Sequence, residues 1–465
     1  MIVSDTLQPE DLRSSIDTVF AVADRSTENL HRYWDPSRGA PVFTEKGIYT
    51  TRGWTEWTQG FQFGNQIYLY DALGRSTWLD RAREAVVRLM YPHLTHTGVH
   101  DHGFNNVSTY GNLLRLMKEG RIDYSEWEAE YYRLALRVTG AVQAARFTRL
   151  PGGLGYVPSF NGAHSLFSDT IRSMRALAVS HRLGGVLIGE QDERVNLLTR
   201  IIVHAETTAR YNVYYGTGRD TYDVRGRVVH ESLFNVESGS YRAPSSQQGY
   251  SPFTTWTRGH AWVLCGYPEL LEFLDTIDAS EYEGPEYLST LDEARTRFTD
   301  VARAAADFYL EHTPTDGIPY WDTGAPGLVH LGDWRAEPAD PFNSYEPVDS
   351  SSAAIAAQGL LRLGRYLMQP GRDSSETELG RRYYQAGLTA ANTLFQAPYL
   401  PEDTDHQGIL LHSVYHRPNG WDYEPDQSRV PRGESCMWGD YHLLELALYV
   451  QREIEEGEYL VFFNV

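Results

Sequence analysis

One stretch of the chain combines a cation, a histidine and two indole rings within seven residues. It reads Trp256-Thr-Arg-Gly-His-Ala-Trp262 and runs into the apolar segment VLCGYPELLEFLD, which predicts a helix that begins at Thr257. The first turn of a helix carries partial positive charge from its unpaired N–H groups, so a cation at Arg258 is electrostatically misplaced. This placement, shared by His260, indicates that the stretch holds an anion and offers flat ring surfaces beside it.

A first carboxylate lies in the polar loop VHDHGF, where Asp101 stands between His100 and His102. Asp101 is a candidate helix cap and a candidate catalytic group, and the loop leaves both open. A His-x-His pair with an aspartate also resembles a metal site, but no third His or Glu follows at ligand spacing. The cysteines, Cys265 and Cys436, are far apart and form no CxxC motif. We therefore expect neither a metal nor a cofactor.

A second carboxylate, Asp169, stands at the predicted start of a helix in HSLFSDTIRSMRAL. An aspartate at this position complements the helix dipole, and this purely structural role stays open. Phe160, Phe167 and Met174 surround it in sequence and would desolvate it, which raises a carboxyl pKa and suits a general acid. These two effects oppose each other, and the sequence does not decide between them.

Further candidates are a histidine and a set of tryptophans near the starts of apolar helices. His204 lies on the predicted helix that comes after the helix of Asp169. It is either a core histidine or a catalytic one. The tryptophans either pack in the core or form platforms for sugar rings; they are Trp54, Trp57, Trp256 and Trp262.

The composition limits the possible partners. The net charge is −21, and 39 of the 41 basic residues are arginine, which argues against nucleic acid and anionic membranes as partners. An acidic chain nearly without lysine is typical of a salt-adapted cytoplasm, although a GC-rich genome would also replace lysine by arginine. No run reaches the roughly 20 apolar residues of a membrane span. The N-terminal segment MIVSDTLQPEDL shows no signal-peptide pattern, so we expect a cytoplasmic, halophilic protein.

Helical periodicity recurs along the whole chain and predicts twelve helices, alternately very apolar and amphipathic. Their spacing lacks a tandem-repeat consensus and fits an all-α fold, an (α/α)6 barrel with six inner and six outer helices. We expect one domain over residues 1–465. The segments 214–255, 314–348 and 397–436 break the pattern, and 214–255 predicts a long loop or hairpin. We expect these segments at one barrel mouth, which would then carry the active site.

Ten stretches resemble those of a known family, the unsaturated glucuronyl hydrolases of glycoside hydrolase family 88, and they occur in the same order along the chain. A weaker likeness is to the unsaturated rhamnogalacturonyl hydrolases of family 105. The stretches are WTQGFQFG (57–64), HDHGF (100–104), SDTIRSMRAL (168–177), HAETT (204–208), QGY (248–250), WTRGHAW (256–262), PYWDTGAP (319–326), DSSSAAIAAQGLL (349–361), YHRP (415–418) and ESCMWGDYHLLELAL (434–448).

The resemblance implies the (α/α)6 barrel and a hydrolase that removes a 4,5-unsaturated uronic acid from lyase-generated oligosaccharides. The family hydrates the C4=C5 double bond, and the hemiketal that forms opens spontaneously. By motif position Asp169 protonates C4 and Asp101 supports it. The resemblance also implies substrate-binding roles for His204, Arg258 and Trp262, with Arg258 paired to the substrate carboxylate.

The chain departs from the family pattern around the sugar that follows the uronate. His260 replaces a glutamine of the family, and Phe160 lies where a tryptophan is expected. The family's second histidine corresponds either to His230 or to Asp223. We expect Trp57, Phe160, His230 and His260 as further substrate-binding residues.

Two alternatives to the leading function stay open, a family 105 activity and a non-catalytic sugar-binding barrel. The expected partner in each case is an oligosaccharide, with no nucleic acid or membrane partner. The expected assembly is a monomer or a homodimer.

Overall fold

Twelve long helices dominate the computed structural model, which describes residues 1–52, 56–425, 428–457 and 459–464. Two of them change geometry along their length: α4 (103–118) is π-helical over Gly103–Gly111 and α-helical over Asn112–Lys118, and α6 (170–182) consists of Thr170–Ser173 and Arg175–Arg182. The others are α1 (Arg13–Tyr33), α2 (Gln59–Leu73), α3 (Ser76–Leu89), α5 (Glu126–Ala145), α7 (Leu197–Tyr211), α8 (Thr257–Leu274), α9 (Leu291–His312), α10 (Ser350–Leu367), α11 (Ser374–Leu394) and α12 (Met437–Glu456). A single turn at Tyr91–Leu94 follows α3.

The even-numbered helices form a closed inner ring. Each packs against the next in the order α2, α4, α6, α8, α10 and α12, and α12 returns to α2. Each odd-numbered helix lies outside against the ring; α5, for example, covers α4 and α6, and α11 covers α10. The predicted (α/α)6 barrel of twelve helices is confirmed, whereas the single domain over 1–465 stays a prediction.

Burial explains the alternation seen in the sequence. Every residue of α8 is buried, because an inner helix is covered by the barrel interior on one side and by outer helices on the other. Outer helices such as α9 bury one face and expose the other, and their sequences are accordingly amphipathic. None of the helices in the described ranges is both long and apolar enough to cross a bilayer.

Short strands decorate the loops between helices. They are β1 (Phe43–Glu45), β2 (Ile48–Thr50), β3 (Thr148–Arg149), β4 (Gly155–Tyr156), β5 (Ser165–Phe167), β6 (Leu187–Ile188), β7 (Arg194–Val195), β8 (Glu231–Phe234) and β9 (Tyr241–Ser245). The hairpin predicted within 214–255 is β8–β9, and β5 joins it as a third antiparallel strand with Leu166 opposite Ser232. Because β5 leads directly into Asp169, this sheet ties the hairpin to the start of α6.

Candidate active site

A pocket lies where the inner helices begin. Its wall contains seven of the predicted residues: Asp101, Asp169, Arg258, Trp57, Trp256, Trp262 and Phe160. Residues from the 214–255 and 397–436 segments complete the wall, as expected for loops that meet at one mouth. Trp54, which was predicted with the other tryptophans, lies outside the described residues.

The two carboxylates share one histidine on the pocket floor. His100 Nε2 lies 3.4 Å from Asp169 Oδ2 and 3.7 Å from Asp101 Oδ1, and all three side chains are buried. Asp169 precedes the first turn of α6 but makes no capping hydrogen bond, and its Oδ1 has no hydrogen-bond partner among the described residues. The helix-cap role left open for Asp169 is therefore not the one the structure shows.

The pKa values of the two carboxyls diverge. Burial raises the pKa of Asp101; the charge of His100 opposes this effect and the charge of Asp169 reinforces it. Burial acts on Asp169 as well, but the charge and hydrogen bond of His100 outweigh it and hold the pKa of Asp169 below its ordinary value. Burial would lower the pKa of His100, yet the two carboxylates raise it above its ordinary value. The free pocket thus keeps Asp169 ionised.

Arg258 is surrounded by acceptors from the protein. Its Nη1 donates to Asp349 Oδ2 (3.1 Å) and to the Val414 carbonyl, and its Nη2 donates to Gln248 Oε1 (3.0 Å) and to the Tyr415 carbonyl (2.7 Å). Asp349 also caps α10 through the N–H groups of its first turn. The anion expected near Arg258 is thus already present in the fold. Gln248 also lines the pocket, so a ligand carboxylate that displaces its neutral oxygen can pair with Arg258.

Aromatic rings line the sides of the pocket. The Trp57 ring stacks on Trp438 with centroids 5.0 Å apart, and Trp262 lies 4.9 Å from Phe104. Phe160 meets the edge of Phe167 at 5.4 Å. Trp57 and Trp262 pack against the core and also line the pocket, and their role as platforms for sugar rings stays a prediction.

Three predicted histidines do not line the pocket. His204 is a buried core histidine: its Nδ1 accepts the Val157 N–H at 3.2 Å, and burial lowers its pKa to about 3. His260 packs against Phe308 on α9, at a centroid distance of 5.2 Å, and burial lowers its pKa to about 3 as well. Neither His204 nor His260 lines the pocket, and their substrate-binding roles stay predictions.

His230 lies just behind the pocket wall. Its Nδ1 accepts backbone N–H groups of Gln247 (3.1 Å) and Gln248 (3.4 Å), and its ring packs 4.7 Å from Trp256. It therefore positions Gln248, the partner of Arg258, without lining the pocket itself. Asp223, the alternative to His230, closes an exposed turn by accepting the N–H groups of residues 216, 217 and 219.

Several pocket residues had no predicted role. His100 was noted only as a neighbour of Asp101, and the wall opposite is formed by Gln247, Gln248, Tyr415, His416, Asn419 and Trp421. The motifs QGY and YHRP contain three of these residues, so the order of motifs was the one signal that could have found them. His, Cys, Asp and Glu side chains in the described part of the chain do not gather in groups of three suited to a metal ion. The expectation of no metal or cofactor stays a prediction.

The chain was compared with known proteins. No protein-family model matches it. An unsaturated glucuronyl hydrolase of Formosa agariphila is 24% identical over 400 residues, which cover 84% of this chain and 78% of the relative. An unsaturated chondroitin disaccharide hydrolase of Streptococcus pyogenes is 25% identical over 240 residues, which cover 51% of this chain and 47% of that enzyme.

Solved structures extend the likeness to the whole fold. The crystal structure of an unsaturated glucuronyl hydrolase specific for heparin superposes with a TM-score of 0.69 at 21% identity, covering 97% of this chain and 99% of the other. The chain is thus similar in sequence over most of its length, and in fold over nearly all of it, to unsaturated glucuronyl hydrolases.

Proposed function

We propose that this protein is a hydrolase that removes a 4,5-unsaturated uronic acid from the non-reducing end of lyase-generated oligosaccharides. The observation that carries the proposal is the pair of buried carboxylates, Asp101 and Asp169, joined through His100 on the floor of an aromatic-lined pocket. The sequence likeness to unsaturated glucuronyl hydrolases supports the same reaction.

The reaction needs a proton at C4 and a hydroxyl at C5. Asp169 gives its proton to C4, which breaks the O–H bond and forms a C4–H bond while positive charge develops at C5. Water then adds to C5 and returns its proton to the carboxylate. The product is a hemiketal whose ring opens and releases the aglycone. The net change is the addition of one water molecule across the double bond, and every protein group is restored.

Asp169 must carry a proton to act as the acid, although its pKa in the free pocket is low. Substrate binding raises this pKa. A uronate brings a third negative charge to a site that already holds two carboxylates, and a like charge raises the pKa of its neighbours. Asp169 therefore takes up a proton when the uronate binds. The substrate carboxylate replaces Gln248 Oε1 at Arg258, and Trp57 and Trp262 face the sugar rings.

The decisive experiment uses a panel of unsaturated disaccharides of the chondroitin and heparin types, together with unsaturated galacturonyl-rhamnose. Wild-type protein should remove the ultraviolet absorbance of the C4=C5 bond, and Asp169→Asn should lose at least a hundredfold in kcat while it stays folded. Asp223→Asn, in an exposed turn, serves as the control and should match wild type. Turnover of the rhamnose substrate alone would favour the family 105 activity, and binding without product release would favour a non-catalytic barrel.

We also propose the finer properties that the sequence suggested. The acidic, lysine-poor composition supports a cytoplasmic protein adapted to salt. The assembly is a monomer or a homodimer, which sedimentation distinguishes directly.

A further inference from the structure

Within the described part of the chain, His100 is the one titratable group that contacts both pocket carboxylates. It reaches Asp101 and Asp169 through the same atom, Nε2, and its Nδ1 has no hydrogen-bond partner among the described residues. A single N–H at Nε2 can therefore point to either carboxylate, but not to both at once. The ring is fixed between Phe160, at a centroid distance of 6.1 Å, and Phe167, at 5.6 Å.

The backbone around His100 is held as firmly as its ring. Its carbonyl accepts hydrogen bonds from Gln143 Nε2, at 2.8 Å, and from the hydroxyl of Ser173 on α6. These contacts join the loop before α4 to α5 and α6, so the distance between His100 and Asp169 is set by packing between helices. Such rigidity suits a group that must pass a proton over a short distance.

We propose that His100 is a positioning residue that stores the proton used by Asp169, gives it to Asp169 when the substrate binds and recovers it at the end of turnover. When the uronate binds, the Nε2–H bond breaks and an O–H bond forms on Asp169 Oδ2. Asp169 then gives this proton to C4. The proton released by the attacking water returns through Asp169 to Nε2, which restores the starting state. The inference rests on the proposed function and identifies His100 as the source of the proton that Asp169 transfers to C4.

The charges around His100 favour this role. Asp101 and Asp169 raise its pKa above the ordinary value, against burial and against the positive charge of Arg146. Two other histidines interact with His100, namely His204 on α7 and His230 just before β8, and His96, on the same loop, interacts with Asp101. Burial lowers the pKa of His204 to about 3 and that of His230 to about 4, so both stay neutral near pH 7 and do not compete for the proton.

The activity test uses His100→Gln, whose side-chain amide keeps a hydrogen-bond donor near the position of Nε2 but carries no exchangeable charge. We expect kcat to fall 30-fold or more, with KM within about threefold, since a general acid contributes roughly 10²–10⁴ in rate. We also expect the alkaline limb of the kcat profile to move by at least one pH unit. A lower rate with an unmoved profile would mean a merely structural role and would overturn the proposal.

A neighbouring histidine offers a matched control. His102 is as buried as His100 but contacts Thr139 Oγ1 (2.7 Å) and the His96 carbonyl (2.9 Å) instead of a carboxylate. His102→Gln should therefore leave the shape of the pH profile unchanged. We call the contacts of His100 Nε2 with Asp101 and Asp169 the bridge. If the alkaline limb of the pH profile moves as far in His102→Gln as in His100→Gln, the effect comes from the loop and not from the bridge.

A second measurement needs no substrate and separates this inference from the proposed function. In protein with labelled histidine rings, NMR should show that His100 titrates above the ordinary histidine pKa and that Asp101→Asn and Asp169→Asn each lower that pKa. If His100 behaves in this way but no disaccharide is turned over, the proposed function fails while the bridge stands. If His100 titrates below its ordinary value and ignores both variants, the bridge is refuted whatever the activity.

Discussion

Arg258 shows how a single residue links the pocket to the frame of the barrel. It is almost fully buried, and its four hydrogen bonds join the start of α8 to the Asp349 cap of α10, to Gln248 and to two carbonyls of the 397–436 segment. The guanidinium also lies over the Trp256 and Trp438 rings, at 4.6 and 4.8 Å. Arg258 therefore stabilises the loops and helix starts that form the pocket wall. Its proposed contact with the substrate depends on this structural role.

Replacing Arg258 by Met should lower the free energy of unfolding by about 3–5 kcal/mol, because it leaves a buried carboxylate without its cation. Urea unfolding monitored by tryptophan fluorescence measures the change. The control is Arg225→Met, which removes a surface ion pair with Asp300 (2.9 Å) between two half-exposed side chains. That variant should cost less than about 1 kcal/mol, and equal losses in the two variants would contradict the role given to Arg258.

At the scale of elements, close contacts between neighbouring inner helices set the width of the barrel. Gly359 lies on α10 where it crosses α8, and a Cβ at this position would come within 2.3 Å of the Leu264 carbonyl oxygen. Gly103 allows a similar close contact between α4 and α6, because a Cβ at this position would lie 2.4 Å from the Ser173 carbonyl oxygen. The second contact bears on the pocket directly, because it lies two residues from Asp101.

Gly359→Ala should destabilise the protein by about 1–3 kcal/mol through overpacking. Intrinsic helix propensity favours alanine over glycine by about 1 kcal/mol, so it acts in the opposite direction and makes the sign of the result informative. Thermal unfolding followed by far-ultraviolet circular dichroism is the measurement. A midpoint equal to or above that of wild type would mean that the two helices separate at little cost.

At the scale of the whole molecule, one group of buried charges between the inner helices is balanced, while the chain as a whole is strongly acidic. Three arginines and three glutamates of the inner helices pair below the pocket: Arg172, Arg175, Arg362, Glu269, Glu272 and Glu445. Their charges cancel, so the net charge of −21 comes from the rest of the molecule. Salt reaches exposed charges and screens them, whereas it has little access to the buried pairs.

Raising NaCl from 0.1 to 2 M should therefore increase the urea midpoint of unfolding and the activity, because screening weakens the repulsion within the folded state. An osmolyte such as sorbitol at matched osmolality does not screen charge, and it should produce a smaller increase. A midpoint that does not respond to NaCl, or responds equally to sorbitol, would contradict salt adaptation.

The sequence by itself determined the twelve helices, their alternation between inner and outer rings, the break in the helical pattern over 214–255 and the motifs that carry Asp101 and Asp169. These features rest on local periodicity and on the order of short motifs, which a linear chain displays directly. The starts of the inner helices followed from the same patterns, and so did their convergence on one mouth.

Only the tertiary structure decided which side chains meet there. Arg258 donates hydrogen bonds to Asp349 and to the Tyr415 carbonyl, which are 91 and 157 residues away in the sequence. His100 contacts Asp169, which is 69 residues away. His260 lies on the face of α8 that packs against Phe308 and not on the face that carries Arg258 and Trp262, because a small rotation about the helix axis decides whether a side chain enters a cavity or the core. Contacts and pKa values depend on the distances and burial that folding creates, and for that reason the sequence could name the carboxylates but not the histidine between them.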